Sequence, residues 1–153
     1  MDGDLTQQDW QTLQTAPLWV LTAVVGRQSK FDPLELAAFW RVVDATAAGS
    51  DGLAKSVLEA LSSNFSAQLA LYERNEQSVV AGLWDVMSIL KRRDVLVSGP
   101  FTAAMLEVGE GISRARGPFG QTISREDKQT LLLLATLLEI EPTIGIFDRD
   151  AFA

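Results

Sequence analysis

The sequence predicts a single-domain, all-α protein built as a bundle of about seven to eight helices. Apolar residues recur three and four positions apart along most of the chain, which is typical of helices with one buried face. Residues that favour helix starts, and breaks that contain Gly or Pro, separate these stretches. No stretch alternates apolar and polar residues for long, so strands are not predicted. A length of 153 residues suits one domain, 1–153, that buries roughly two-thirds of its unfolded surface.

The composition excludes several kinds of chemistry. The chain has no cysteine and no histidine, which removes disulfides, thiolate nucleophiles, Cys/His zinc sites and histidine-based triads. Its net charge of −7 disfavours binding to phosphate backbones, so we expect no nucleic-acid partner. We also expect no cofactor and no enzymatic activity, because the usual nucleophiles and bases are missing, although serine, lysine and carboxylates remain.

The sequence favours a cytoplasmic protein that does not cross a membrane. Its first residues, Met-Asp-Gly-Asp-Leu-Thr, are acidic and lack the basic and then apolar pattern of a signal peptide. The most apolar run, 131–138, is shorter than the ~20 residues that a membrane-spanning helix needs.

The first two predicted helices lie on either side of Pro17. Thr6 and Asp9 resemble a capping box that opens a short first helix. Pro17 suits the first turn of the second helix, which Gly26 ends. We expect this second helix at the centre of the bundle, because its apolar residues nearly surround it: Leu18, Trp19, Val20, Leu21, Val24 and Val25.

The third helix has the best-marked start in the chain, Asp32-Pro33-Leu34-Glu35. The Asp32 side chain can accept a hydrogen bond from a free amide, and the Glu35 side chain can reach back to the Asp32 amide. Pro33 fits the first helical position, where no backbone donor is needed. The expected buried face consists of Leu36, Phe39, Trp40 and Val43.

Three apolar stripes predict helices around 53–61, 65–72 and 79–90. The last of these ends at Lys91-Arg92-Arg93, where cations suit the negative end of the helix dipole. We expect Trp84 at the edge of this helix, and we expect its buried stripe to consist of Val79, Val80, Leu83, Val86, Met87 and Leu90.

Two more helices complete the predicted bundle. One begins at Gly99-Pro100 and ends at 117–120, and the other is capped by Ser124 with Asp127. The predicted core residues of the last helix are Leu131, Leu134, Ala135 and Leu138. Pro142 stops it, and 142–153 forms a tail whose apolar residues pack back on the bundle.

A weak internal repeat relates the two halves, 10–75 and 76–141. Pro17 pairs with Pro100 and Gly26 with Gly109 at a constant offset, and Asp32 pairs with Ser124 at the later helix start. Two helical hairpins of this kind bury both of their apolar faces if they pack together with pseudo-twofold symmetry.

The pattern of the first half resembles the TerB-like tellurite-resistance family. An Ala-Pro helix runs into Val-Val-Gly, a short loop follows, and the chain continues as Asp-Pro-Leu-Glu; the Ile-Ser-Arg-Glu of 123–126 is similar to a second such entry. The resemblance implies an all-α bacterial protein with an intracellular location and a role around metal or stress responses. The family often carries suspected metal-binding acids in the loop after the position of Gly26. Here that loop, 27–31, reads Arg-Gln-Ser-Lys-Phe and has no carboxylate.

Two groups of residues are candidate binding sites. Asp32 and Glu35 are weak metal-ligand candidates, and the alternative is that both oxygens serve only the capping box. An anion site is the second candidate, because arginines near a helix N-terminus suit phosphate or carboxylate: Arg114, Arg116, Arg125 and Ser124. The alternative there is an exposed loop with solubilising charges.

The sequence therefore favours a non-enzymatic intracellular module that acts through protein contacts in a stress response. Its partner is another protein or a second copy of the chain, since a small apolar-rich bundle suits a homodimer. The alternative is a metal- or anion-binding protein linked to tellurite or metal resistance. The four tryptophans fit the core, and any that are exposed would mark a self-association surface.

Overall fold

The computed structural model describes residues 5–26, 31–116 and 123–139, and over these residues the chain is entirely helical. The predicted all-α bundle is confirmed, with seven helices and no strand in the described ranges. The helices are α1 (Gln7–Val25), α2 (Pro33–Ala48), α3 (Gly52–Ser63), α4 (Phe65–Glu73), α5 (Val79–Leu90), α6 (Val95–Arg116) and α7 (Arg125–Leu137). The predicted tail, 142–153, lies outside the described residues.

Helix α1 is the centre of the bundle, as its all-round apolar surface predicts. It packs against α3, α4, α5, α6 and α7. The prediction of two helices divided at Pro17 is wrong, because α1 is continuous and Pro17 lies inside it. Pro17 has no amide hydrogen to give to the carbonyl of Leu13, which costs the helix a bond. Complete burial of the neighbouring Leu13, Ala16 and Leu18 offsets that loss.

Helix α6 is the second central element, and it begins earlier than Gly99-Pro100 predicts. The Asp94 carboxylate accepts a hydrogen bond from the Leu96 amide at 2.9 Å, so the helix starts at Val95 with Pro100 in its second turn. It packs against α1, α2, α3 and α7. Its inner face is fully buried at Phe101, Met105 and Val108.

The second helix of each predicted hairpin packs on the opposite half. Helix α2 lies against α6 and α3, and helix α7 lies against α1 and α6. This packing of each second helix on the opposite half fits a pseudo-twofold arrangement. The two predicted hairpins differ, however: α6 and α7 pack on each other, whereas α1 and α2 share almost no contact over the described residues. The paired glycines also differ, since Gly26 ends α1 with a positive φ of 91° and Gly109 lies inside α6. The repeat stays a prediction.

The predicted capping boxes of α1 and α2 are confirmed at atomic detail. Thr6 and Asp9 form a capping box, and so do Asp32 and Glu35. The Ser78 hydroxyl accepts from the Ala81 amide at 3.1 Å and opens α5. These bonds fix where each helix begins and therefore which residues face the core.

One cluster of aromatic side chains joins α1, α4 and α5. The Trp19 indole is buried against Gly82 of α5, where a Cβ would lie only 2.0 Å from the ring. Tyr72 of α4 meets Trp19 edge to face at 4.8 Å and stacks on Phe31 at 6.1 Å. The Tyr72 hydroxyl also hydrogen-bonds the buried Thr22 hydroxyl. Three helices are thereby fixed around a single indole.

Two residues predicted in buried stripes lie at the surface instead. Trp40 is 49% exposed, and its indole Nε1 donates to Ser62 Oγ at 2.8 Å. Val80 is 57% exposed. Both lie at the border of an apolar stripe that is wider than the surface available to cover it.

One described helix, over Val95–Ala115, has the length and apolar composition of a membrane span, with 44% of that stretch buried inside the protein. The stretch is not conspicuous in the sequence, because Gly, Pro and two glutamates interrupt it, unlike the run at 131–138. A core helix passes the same test, and α6 is packed on four other helices.

Candidate functional site

An apolar groove between α5 and α7 is the most distinctive surface of the described protein. It encloses about 210 Å³ and is mostly apolar. Val80, Trp84 and Met87 of α5 form one wall, and Thr136 and Leu137 of α7 form the other.

The spacing along α5 explains how one helix has both a core face and a groove face. Its buried face carries Leu83, Val86 and Leu90 against the centre of the bundle. Positions 80, 84, 87, 88 and 91 recur at helical spacing along the second face. Trp84 on that face is 67% exposed, which is a large exposed fraction for the largest apolar side chain.

Helix α7, like α5, has one apolar face toward the core and a second apolar face toward the groove. Its core residues are buried as predicted, but Leu133 is 64% exposed and Leu137 lines the groove. Leu133 and Leu137 are one helical turn apart and share a face. This face was not predicted, although the run 131–138 is apolar on more sides than one core contact can cover.

Lys91 closes one end of the groove. Its Nζ lies 2.9 Å from Glu139 Oε2 and 5.6 Å from the centroid of the Trp84 ring. The cation therefore interacts with a carboxylate from the end of α7 and with the face of the indole. Glu139 has a left-handed φ of 56°, which turns the backbone away from the axis of α7.

A second concavity of about 290 Å³ continues the groove past Lys91. The two concavities share Met87, Lys91 and Glu139. Its other lining includes Val95 near the start of α6, and Val95 and the adjacent Leu96 are 73% and 80% exposed. Exposed apolar residues thus extend on both sides of the Lys91–Glu139 ion pair.

The metal candidates Asp32 and Glu35 serve the start of α2. Asp32 Oδ1 accepts from the Leu34 amide at 2.7 Å, and Glu35 Oε1 accepts from the Asp32 amide at 3.1 Å. The capping-box interpretation is confirmed. Over the described part of the chain, no three acidic side chains come together as a cation site. A metal at Asp32 and Glu35 stays a prediction.

The anion candidates lie at two helix ends. Ser124 Oγ accepts from the Asp127 amide at 3.1 Å, and Arg125 begins α7. Arg114, in the last turn of α6, lies 3.8 Å from the Glu110 carboxylate. The side chain of Arg116 and the connection 117–122 lie outside the described residues. The anion site therefore stays a prediction.

Glu110 is the carboxylate with a perturbed environment. Its side chain is largely buried at the inner side of α6, and this burial raises the pKa of the Glu110 carboxyl. The Arg114 guanidinium lowers the pKa in part, and the nearby Glu107 carboxylate adds a smaller increase. Glu107 itself is exposed, so the two form no buried acid–base pair.

Two further concavities lie away from the groove. The larger, about 500 Å³, is open to solvent between Trp40 and the α3–α4 corner. The other, about 220 Å³, is lined mainly by amides and hydroxyls above Trp19. The lining of each is more polar than that of the α5–α7 groove.

Comparisons of the chain with protein-family models, with curated proteins and with solved structures found no match.

Proposed function

We propose that this chain is a non-enzymatic intracellular helical module of the TerB-like kind that acts through protein contacts, with the α5–α7 groove as its docking surface. The observation that carries the proposal is the exposed indole of Trp84, in a groove that Val80 and Leu137 also line. The family, the intracellular location and the link to a stress response rest on the sequence resemblance alone.

The chemistry of the groove suits a protein partner. Interfaces are enriched in tryptophan, and a central tryptophan often contributes ~2 kcal/mol or more when a partner covers it. Trp84, Val80 and Leu133 give a concentrated apolar surface on a chain whose net charge is −7. Such patches on soluble domains mark interaction sites. The Lys91–Glu139 pair beside them supplies a polar rim.

Site-specific photocrosslinking tests the proposal. A benzophenone amino acid is placed at position 84 or 133, and the same group at the exposed Glu59 of α3 is the matched control. We expect a discrete crosslinked partner from positions 84 and 133 in native lysate and none from position 59. Crosslinking that is equal at all three positions, or absent from all three, would overturn the groove as the docking surface.

The crosslinked partner is then purified and its affinity measured. Trp84→Ala should weaken binding about 30-fold, which corresponds to ~2 kcal/mol. Leu71→Ala, which changes another exposed apolar residue on α4, should leave binding unchanged. If the partner proves to be a second copy of the chain, the predicted homodimer follows.

A further inference from the structure

We propose that the cleft above Trp19 binds a small, neutral, polyhydroxylated ligand of the size of one sugar ring. The cleft lies between the first half of α1, the end of α4 and the start of α5, and it encloses about 220 Å³. Pockets for drug-sized ligands enclose about 300–1,000 Å³, so this cleft suits a smaller molecule. The site shares no lining residue with the α5–α7 groove and goes beyond the proposed function.

A buried side-chain amide without a hydrogen-bond partner is the first observation that favours a ligand. Gln68 of α4 lines the cleft and is only 9% exposed. Within the described part of the chain, its side chain makes no hydrogen bond. Native proteins usually pair such groups, because a buried amide without a partner is costly. A ligand hydroxyl in the cleft would supply the missing partner.

Helix α1 supplies one polar wall of the cleft. Four of its side chains that carry an amide or a hydroxyl recur three or four positions apart and line the cleft: Gln8, Gln11, Thr12 and Thr15. A side-chain amide offers both a donor and an acceptor, and so does a hydroxyl. Ligand hydroxyls have the same double capacity. They therefore match this wall better than a ligand that can only donate or only accept.

The second polar wall is a chain of hydrogen bonds that ends at a carboxylate. Asn75 Nδ2 donates to Gln77 Oε1 at 3.1 Å, and Gln77 Nε2 donates to Asp85 Oδ2 at 2.9 Å. These bonds order the wall before a ligand arrives, which lowers the cost of binding. Asp85 Oδ1 has no partner among the described residues, so it can accept from a ligand hydroxyl.

The rest of the lining favours a neutral ligand with one apolar side. Among the described residues, no lysine or arginine lines the cleft, so an anionic ligand would find no balancing charge. Leu71 and Trp19 form the apolar part, and the indole reaches the cleft because Gly82 has no side chain in its place. A sugar ring combines an apolar C–H side with a rim of hydroxyls, and this division matches the cleft.

Titration with sugars, followed by NMR, tests the inference on the full chain. Glucose, galactose, mannose and myo-inositol are added separately in the millimolar range, because hydroxyls that exchange water for protein partners gain little net affinity. We expect at least one of them to shift the side-chain amide signals of Gln68 and the indole N–H signal of Trp19 saturably. The indole signal of Trp84 should stay in place. Absence of saturable shifts with all four compounds would overturn the inference.

Substitution of Gln68 distinguishes a ligand-binding amide from a structural one. Gln68→Met keeps the side-chain length and removes the amide, so the affinity for the sugar should fall about tenfold. The same change should not lower stability in urea, because the free protein leaves this amide unpaired. Gln129→Met, at an exposed glutamine of α7, is the matched control and should change neither quantity. Unchanged affinity in Gln68→Met would also overturn the inference.

Discussion

The packing of Gly82 against Trp19 predicts a large effect from one added methyl group. In Gly82→Ala the new Cβ would lie 2.0 Å from Trp19 Cε2 and 2.4 Å from Cζ2, well inside van der Waals contact. The indole cannot easily move, because it is buried and Tyr72 packs edge-on against it at 4.8 Å. Helices α1 and α5 must therefore separate.

The expected magnitude follows from two opposing terms. Alanine is favoured over glycine inside a helix by ~1 kcal/mol, which would stabilise α5. Overpacking of a filled core costs ~1–3 kcal/mol and more when the core cannot adjust. At a 2.0 Å contact we expect the second term to dominate, with a net loss of at least ~2 kcal/mol in the free energy of unfolding.

Urea unfolding followed by circular dichroism measures the effect, and other glycines supply a graded comparison. An added Cβ would meet Val42 at 2.7 Å in Gly111→Ala and Leu131 at 3.0 Å in Gly109→Ala, whereas Gly49→Ala meets nothing closer than 3.9 Å. Stability should fall most for Gly82, then Gly111, then Gly109, and hardly at all for Gly49.

A compensating substitution keeps the reasoning open to refutation if Gly82→Ala does not fold. Trp19→Phe removes the part of the indole that the new Cβ would meet, so the double variant should be more stable than the two single losses predict. Wild-type stability in Gly82→Ala, or strictly additive losses in the double variant, would refute the close approach of α1 and α5.

Three further outcomes are expected. Tyr72→Phe removes the buried hydroxyl that bonds Thr22 and should lower the free energy of unfolding by about 1 kcal/mol in urea titrations; no change would contradict a formed bond. Burial raises the pKa of the Glu110 carboxyl, so the folded protein holds this proton more tightly than the unfolded chain. Its contribution to stability is fully present below the ordinary pKa of the unfolded chain and is lost as pH rises from there through the raised pKa, because over that range the unfolded chain binds fewer protons than the folded one. Glu110→Gln should therefore lose less stability than the wild type between mildly acidic and neutral pH, and identical pH profiles would refute this assignment. If the predicted anion site exists, added phosphate should shift the Ser124 amide signal in NMR spectra of the wild type. The same titration should leave that signal unshifted in Arg114→Ala. Equal shifts in the two proteins would rule out the predicted anion site.

Helix starts were predictable because their chemistry is local. Asp32 and Ser124 each bond an amide two or three residues away, and no distant contact is needed to make that bond. The position of Pro17 inside a continuous helix was not predictable, because it depends on contacts that are distant in sequence. A proline that fits a first turn also fits a helix interior when burial elsewhere offsets the lost bond, and burial is not visible in a local pattern.

The candidate surface was harder to predict than the core. Helical spacing identifies an apolar stripe, but it does not show how much of that stripe another helix covers. Val80 and Leu83 look equivalent in sequence, yet Leu83 faces α1 and Val80 faces solvent. The distinction depends on where the other helices lie around α5, which is a property of the whole bundle.

The hydroxyl bridge between Thr22 and Tyr72 has a consequence for how the molecule opens. Helix α4 has nine residues, packs mainly on α1 and α3 with Phe65 also against Phe39 of α2, and buries little besides Gln68 and Tyr72. An element with so few buried groups unfolds locally at a lower free energy than the whole domain. Its amide hydrogens should exchange with solvent sooner than those of α6, and loss of the Tyr72 hydroxyl should make that exchange faster still.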